Sequence, residues 1–162
     1  MSLRIDGMQR LLKKLKTMGG NVDEALKQGI MAGCLLVERD AKLNVKTNTG
    51  ALRESINHEV VSNKKSIVGI IGTNFKYAPY IELGTGPVGA SNPPEIAIKK
   101  NIQYRSTPWV YFSEEKQSFF TTSGQAGVPY LYPALTNNST EINRLVAEAV
   151  KRALEKLGGN NG

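Results

Sequence analysis

Ile56-Asn57-His58-Glu59-Val60-Val61-Ser62-Asn63-Lys64-Lys65-Ser66-Ile67-Val68-Gly69-Ile70-Ile71 is where the hydrophobic pattern of the chain changes period. Residues 56–61 and 66–71 are rich in β-branched side chains, and the polar run 62–65 between them reads as a hairpin turn. Everything before this stretch has the three- and four-residue spacing of helices. In residues 3–18, Leu3, Met8, Leu11, Leu12, Leu15 and Met18 fall on one face, and Gly19-Gly20 ends the segment. Asn21 with Glu24 opens a longer helix over 21–46, whose apolar stripe is Val22, Ala25, Leu26, Gly29, Ile30, Gly33, Val37 and Ala41. Glycine costs roughly 1 kcal/mol inside a helix, so Gly29 and Gly33 imply close approach of another backbone, and a tight helix-on-sheet contact would explain them.

After the hairpin the chain is expected to alternate between packed pieces and loops. A short turn, the hairpin and a Tyr-rich element occupy 50–83. Residues 84–95, with Gly84, Gly86, Gly89, Pro87, Pro93 and Pro94, read as a mobile loop without regular structure. A second hairpin, 109–112 with 118–122, falls within 104–124. Pro129 and Pro133 suggest an extended lead-in to a last helix over 137–158, which carries Ile142, Leu145, Val146, Ala149, Val150, Ala153, Leu154 and Leu157 on one face. Gly158-Gly159 stops that helix, and 160–162 has nothing to pack against. The order predicts one α+β domain over 1–162, a mostly antiparallel sheet of about four strands with two or three helices on one face. A chain of 162 residues buries about two-thirds of the surface its unfolded form exposes, enough for one core.

Composition excludes more than it selects. The single cysteine, Cys34, lies among apolar neighbours and reads as a core residue. No run approaches the roughly 18 apolar residues of a membrane span, and no secretory signal core opens the chain, so a soluble, retained protein is expected. The net charge of +7 permits attraction to nucleic acid. Its clusters at Arg4, Arg10, Lys13, Lys14 and Lys16 and at Lys151, Arg152 and Lys156 read more simply as solvated helix faces.

Searches for chemistry mostly fail. Gly84-Thr85-Gly86-Pro87-Val88-Gly89 has the form of a dinucleotide fingerprint, but Ala90-Ser91-Asn92-Pro93-Pro94 follows where the fingerprint needs a continuing helix. His58 is the only histidine and lacks companion ligands, so a packed or edge role is expected and no metal site. No Gly-x-Ser-x-Gly elbow is present. No catalytic residue and no cofactor are expected. Lys76-Tyr77 with Tyr80, and Tyr104-Arg105 with Trp109, could stack on bases, yet Pro79, Ile81 and Leu83 between and after the tyrosines favour packing against the sheet.

Three stretches carry a resemblance. They are Asn48-Thr49-Gly50-Ala51-Leu52-Arg53-Glu54-Ser55-Ile56, Thr73-Asn74-Phe75-Lys76-Tyr77-Ala78-Pro79-Tyr80-Ile81-Glu82-Leu83-Gly84-Thr85-Gly86, and Pro129-Tyr130-Leu131-Tyr132-Pro133-Ala134-Leu135. In order and spacing they resemble a family of phage structural proteins, tail or neck components encoded beside head-tail connector genes in long-tailed bacteriophages and prophages. The chain departs from that pattern in 91–127 and at Tyr132, where an arginine is more usual. The resemblance implies a non-enzymatic assembly protein of the virion, made in the host bacterial cytoplasm. Its partners would be other head-tail connector and tail proteins, in a homo-oligomeric ring without membrane contact. A basic protein with weak contact to phage DNA is the alternative. Arg53 and Glu82, charges inside otherwise apolar motifs, are expected to form a partly buried ion pair. Tyr77, Tyr80, Gly84, Gly86, Pro87, Pro93 and Pro94 are the remaining candidates for structure or interaction, and 86–94 is expected to be poorly ordered and to supply a contact.

Overall fold

The stripe from Val22 to Ala41 forms one face of α1 (Val22–Asn44), and Val22, Ala25, Leu26, Gly29, Ile30, Gly33, Cys34, Val37 and Ala41 are all buried. The structure is a computed structural model and describes residues 22–46, 50–63 and 66–158. The expected helix over 3–18, the Asn21 start signal and the tail 160–162 lie outside the described residues. After α1 come α2 (Ala51–Ser55), β1 (Asn57–Ser62), β2 (Ile67–Gly72), α3 (Ala78–Leu83), β3 (Gly84–Thr85), α4 (Gly86–Ser91) and α5 (Glu95–Lys99). Then follow β4 (Trp109–Ser113), β5 (Ser118–Thr122), β6 (Gln125–Ala126), α6 (Leu131–Asn137) and α7 (Ser139–Gly158).

Helix α1 is the axis of the fold, with α7 and α6 packed against it and the β1–β2 hairpin laid across it. Its N-terminal half, Val22, Leu26, Ile30 and Cys34, shares a core with Val146 and Val150 of α7, closed by Val60, Ile67 and Ile71 of the hairpin. Each fully buried Val, Leu or Ile contributes roughly 1.5–3 kcal/mol, so these stripes outweigh the weak intrinsic preferences of the segments. The hairpin register places His58 opposite Ile71, Val60 opposite Gly69 and Ser62 opposite Ile67. Strand side chains alternate between faces, so these pairs share the face that meets α1.

The helix glycines are explained, though by a different neighbour from the one expected. A methyl on Gly29 would sit 2.7 Å from Val146 Cα and 3.2 Å from Ala149 Cβ, and one on Gly33 would sit 3.0 Å from Ile142 Cγ2. Both glycines admit α7. The tight helix-on-sheet contact also exists, but its glycine is on the strand: a methyl on Gly69 would lie 2.3 Å from Cys34 Sγ.

The α+β class stands, with small antiparallel sheets. Among the described residues, the expected sheet of about four strands is instead three separate two-stranded pieces, β1–β2, β3–β6 and β4–β5. The chain leaving β2 turns into α3 rather than a third strand, so the two hairpins never share an edge. Residues 84–95 differ from the irregular loop expected, because their prolines open helices rather than prevent them. Pro87 occupies the first turn of α4, where no amide hydrogen is needed. Pro94 precedes α5, and its carbonyl accepts from the amides of Ala97 at 2.8 Å and Ile98 at 3.2 Å. Pro133 is likewise not part of an extended lead-in, since it lies in the first turn of α6.

Candidate functional site

The three motifs converge on one core. Leu52 and Ile56 from the first, Ala78 from the second and Tyr130 and Ala134 from the third are buried together with Val37, Ala41, Val45 and Ile142. Leu52 is 0% exposed and Ile56 1%. The hydroxyls of Ser55 and Thr73 lie 2.6 Å apart and join the end of the first motif to the start of the second. Burial pushes the Tyr130 phenol up to about 12, with the Glu82 carboxylate adding to the shift, so the ring stays neutral.

Glu82 ties the second motif to the third. It is the buried charged residue of this core, 6% exposed, near the end of α3. One carboxylate oxygen accepts from the amides of Tyr130 at 2.8 Å and Leu131 at 3.0 Å, and the other from that of Tyr132 at 2.8 Å. A helix start leaves four amides without intrahelical partners. At α6 Glu82 takes three of them, and the fourth position is Pro133, which has no amide hydrogen. A carboxylate at the positive end of a helix dipole is also favoured electrostatically. The spacing Glu82…Tyr130-Leu131-Tyr132-Pro133 is therefore a complete cap assembled from two motifs distant in sequence.

This arrangement replaces the ion pair expected between Arg53 and Glu82. The Arg53 guanidinium instead donates to the Val45 carbonyl at 3.0 Å, holding the start of α2 against the end of α1. The carboxylate finds main-chain donors, and the arginine a main-chain acceptor.

Gly84 and Gly86 are explained by close approach of another segment. Their φ values of +81° and +61° lie in the left-handed region, where a side chain is strained. Methyls there would also meet Gly127 N and Ser123 O, each at 2.6 Å. The segment is stitched further by Val128 N to Ile81 O at 2.7 Å and by the Tyr104 hydroxyl donating to Leu83 O at 2.7 Å. Pro93 is half-buried between α4 and α5. Tyr77 and Tyr80 are not packed against a sheet as expected: they are 39% and 57% exposed, and only Tyr77 finds a ring, Phe75 at 4.9 Å between centroids. Tyr132 accepts from Lys99 Nζ at 2.7 Å through its hydroxyl.

Cys34 and Glu38, side by side on α1, make structural contacts. Burial, then the Glu38 charge, pushes the Cys34 thiol up, away from the reactive thiolate. Glu38 on α1 contacts His58 Nδ1 on β1 and accepts from Lys42 Nζ at 2.5 Å, and those partners hold its carboxyl below the ordinary 4.5. A carboxyl depressed in the folded state stabilises above its unfolded pKa, and the benefit is lost as pH falls through the folded value. Glu38→Gln is therefore expected to cost about 1 kcal/mol at neutral pH and to flatten the loss of stability below pH 4.5, as read by urea unfolding at stepped pH. Among the described residues no group of three or more His, Cys, Asp and Glu could hold a metal ion, and no described helix is long and apolar enough to cross a membrane.

What these residues define is a scaffold: three motifs locked by a buried carboxylate cap and by glycine-mediated contacts, with aromatic side chains left at the surface. Residues 9–84 match the model of the family described as bacteriophage HK97-gp10, putative tail-component. This is the tail-component family that the motifs resemble, and the match contains the first motif and ends within the second. Neither a curated protein nor a solved structure matches the chain.

Proposed function

We propose that this protein is a structural component of a tailed phage or prophage that helps join head to tail, as a neck or tail-completion part, through interfaces between identical subunits and with neighbouring tail and connector proteins. The observation that carries the reading is the family match over 9–84, whose buried motif residues Leu52, Ile56 and Ala78 belong to the core. The protein would work in the virion after assembly in the host cytoplasm. Exposed α4 and α5 residues, in place of the irregular loop first expected, supply a contact surface to neighbours.

Deleting the gene from the phage that carries it is expected to give filled heads and separate tails, with joining restored by the gene in trans. Normal yields of joined, infectious particles would contradict the reading. The alternative, contact with DNA, would use in α7 a face on which carboxylates are interleaved with the cations. There Arg144 is paired with Glu141 at 2.6 Å and with Glu148, and Lys151 and Arg152 lie 3.8 Å from Glu155 and Glu148. Binding to duplex DNA is expected to vanish between about 50 and 200 mM salt, whereas apolar subunit contacts persist, as read by sedimentation at both salt levels.

A further inference from the structure

Among the described residues, strands β4 and β5 form an arm that packs extensively only within itself. Val110, Phe112, Phe119 and Thr121 share one face of it, set by the pairs Val110↔Thr121 and Phe112↔Phe119. Val110 is 61% exposed, Phe112 46% and Phe119 74%, and the two phenylalanines meet edge to face at 5.1 Å. A lone two-stranded hairpin is marginal in water, and exposed apolar faces of this kind are covered in the working assembly. Its tip carries Glu114, Glu115 and Lys116, with the Lys116 ammonium drawn back over the Phe120 ring at 5.5 Å from its centroid, so the two carboxylates lead.

A surface of opposite charge and matching apolar character exists elsewhere on the same chain. Leu35 and Leu43 on α1 are 53% and 73% exposed; Arg39 lies between them on the same helical face and Lys46 just beyond the helix end, both exposed. Arg39 pairs with its neighbour Asp40 at 2.8 Å, but its side chain is 64% exposed and such a surface pair holds it weakly. The outer face of the first hairpin, with Val61 and Ile70, is less suited because Glu59 stands opposite Ile70 in its middle. We propose that the β4–β5 arm of one subunit docks on the Leu35–Leu43 face of α1 in a second copy, its glutamate tip meeting Arg39 and Lys46. Two different patches then mate head to tail, the contact type that closes into a ring. The inference rests on the ring reading above and names its interface.

The test uses the full chain and its mass in solution by light scattering across concentration. The wild type is expected to associate, and both Phe112→Arg/Phe119→Arg and Leu35→Glu/Leu43→Glu to weaken association at least about tenfold with unchanged circular dichroism. Mixing the two variants should restore one contact and stop at a dimer, because each retains one intact patch. Association of the wild type that survives both variants overturns this interface and leaves the ring standing, whereas a wild type monomeric at every concentration overturns both. Loss only with the arm variant indicates arm-to-arm pairing and overturns the proposal. So does loss with Ile70→Glu but not with the α1 variant, or an α1 variant that lowers thermal stability without changing mass, which would mean that the chain itself covers that face.

Discussion

Replacing Glu82 by alanine is expected to cost about 3–5 kcal/mol, lowering the melting temperature by about 10 °C, because three helix-start amides lose their acceptor inside a closed core. The effect should be graded. Glu82→Gln keeps the shape but offers one acceptor oxygen and turns its amide NH2, a donor, toward the remaining N–H donors, so about 2–3 kcal/mol is expected. Thermal unfolding followed by circular dichroism checks both values. A Glu82→Ala protein as stable as the wild type would show that the cap does not hold α3 to α6. Arg53→Ala, which removes a single bond to the Val45 carbonyl, should cost only about 1 kcal/mol, and the effects of Arg53→Ala and Glu82→Ala should add, since the two residues share no partner.

The second large effect is at Gly29. Gly29→Leu is expected to cost about 3–5 kcal/mol, since its Cβ would lie 2.7 Å from the Val146 main chain, which cannot step aside without moving α7. Gly29→Ala should still destabilise, by about 1 kcal/mol after the gain in helix propensity is counted. Gly33→Ala is the contrast. Its methyl would meet the Ile142 side chain at 3.0 Å, which can turn, so a change near zero or a small gain is expected. Chemical denaturation of the three variants tests the order, and equal losses at Gly29→Ala and Gly33→Ala would contradict this account of the α1–α7 seam.

The sequence was most legible where side-chain period alone decides structure. The stripe of α1, both hairpins and the apolar face of α7 follow from periods of 3.6 and 2, which burial enforces. It was least legible where main chain meets side chain. Glu82 stood out as a charge in an apolar motif, yet the visible candidate for its partner was Arg53, because amides of residues 130–132 carry no mark in the sequence. Pro133 was the available signal: a proline three residues after Tyr130 suits the first turn of a helix as well as an extended segment. The same ambiguity made Pro87 and Pro94 look like breakers. Gly29 and Gly33 announced a close neighbour without saying which, and local pattern cannot tell whether two hairpins share a sheet, since that depends on contacts distant in sequence.

The three motifs meet in one core. The cap and the glycine seam fix the angle between α1, α6 and α7, and on that rigid base the exposed tyrosines and the β4–β5 arm are presented outward. Loss of stability at Glu82 and loss of association at Phe112 and Phe119 should therefore be separable, with the arm variants folding normally.

Gold labelling of a tag at residue 162, viewed by electron microscopy in purified particles of the phage, tests the central claim most directly. The account predicts label confined to the junction of head and tail. Label spread along the tail tube, or particles that carry none, would contradict it.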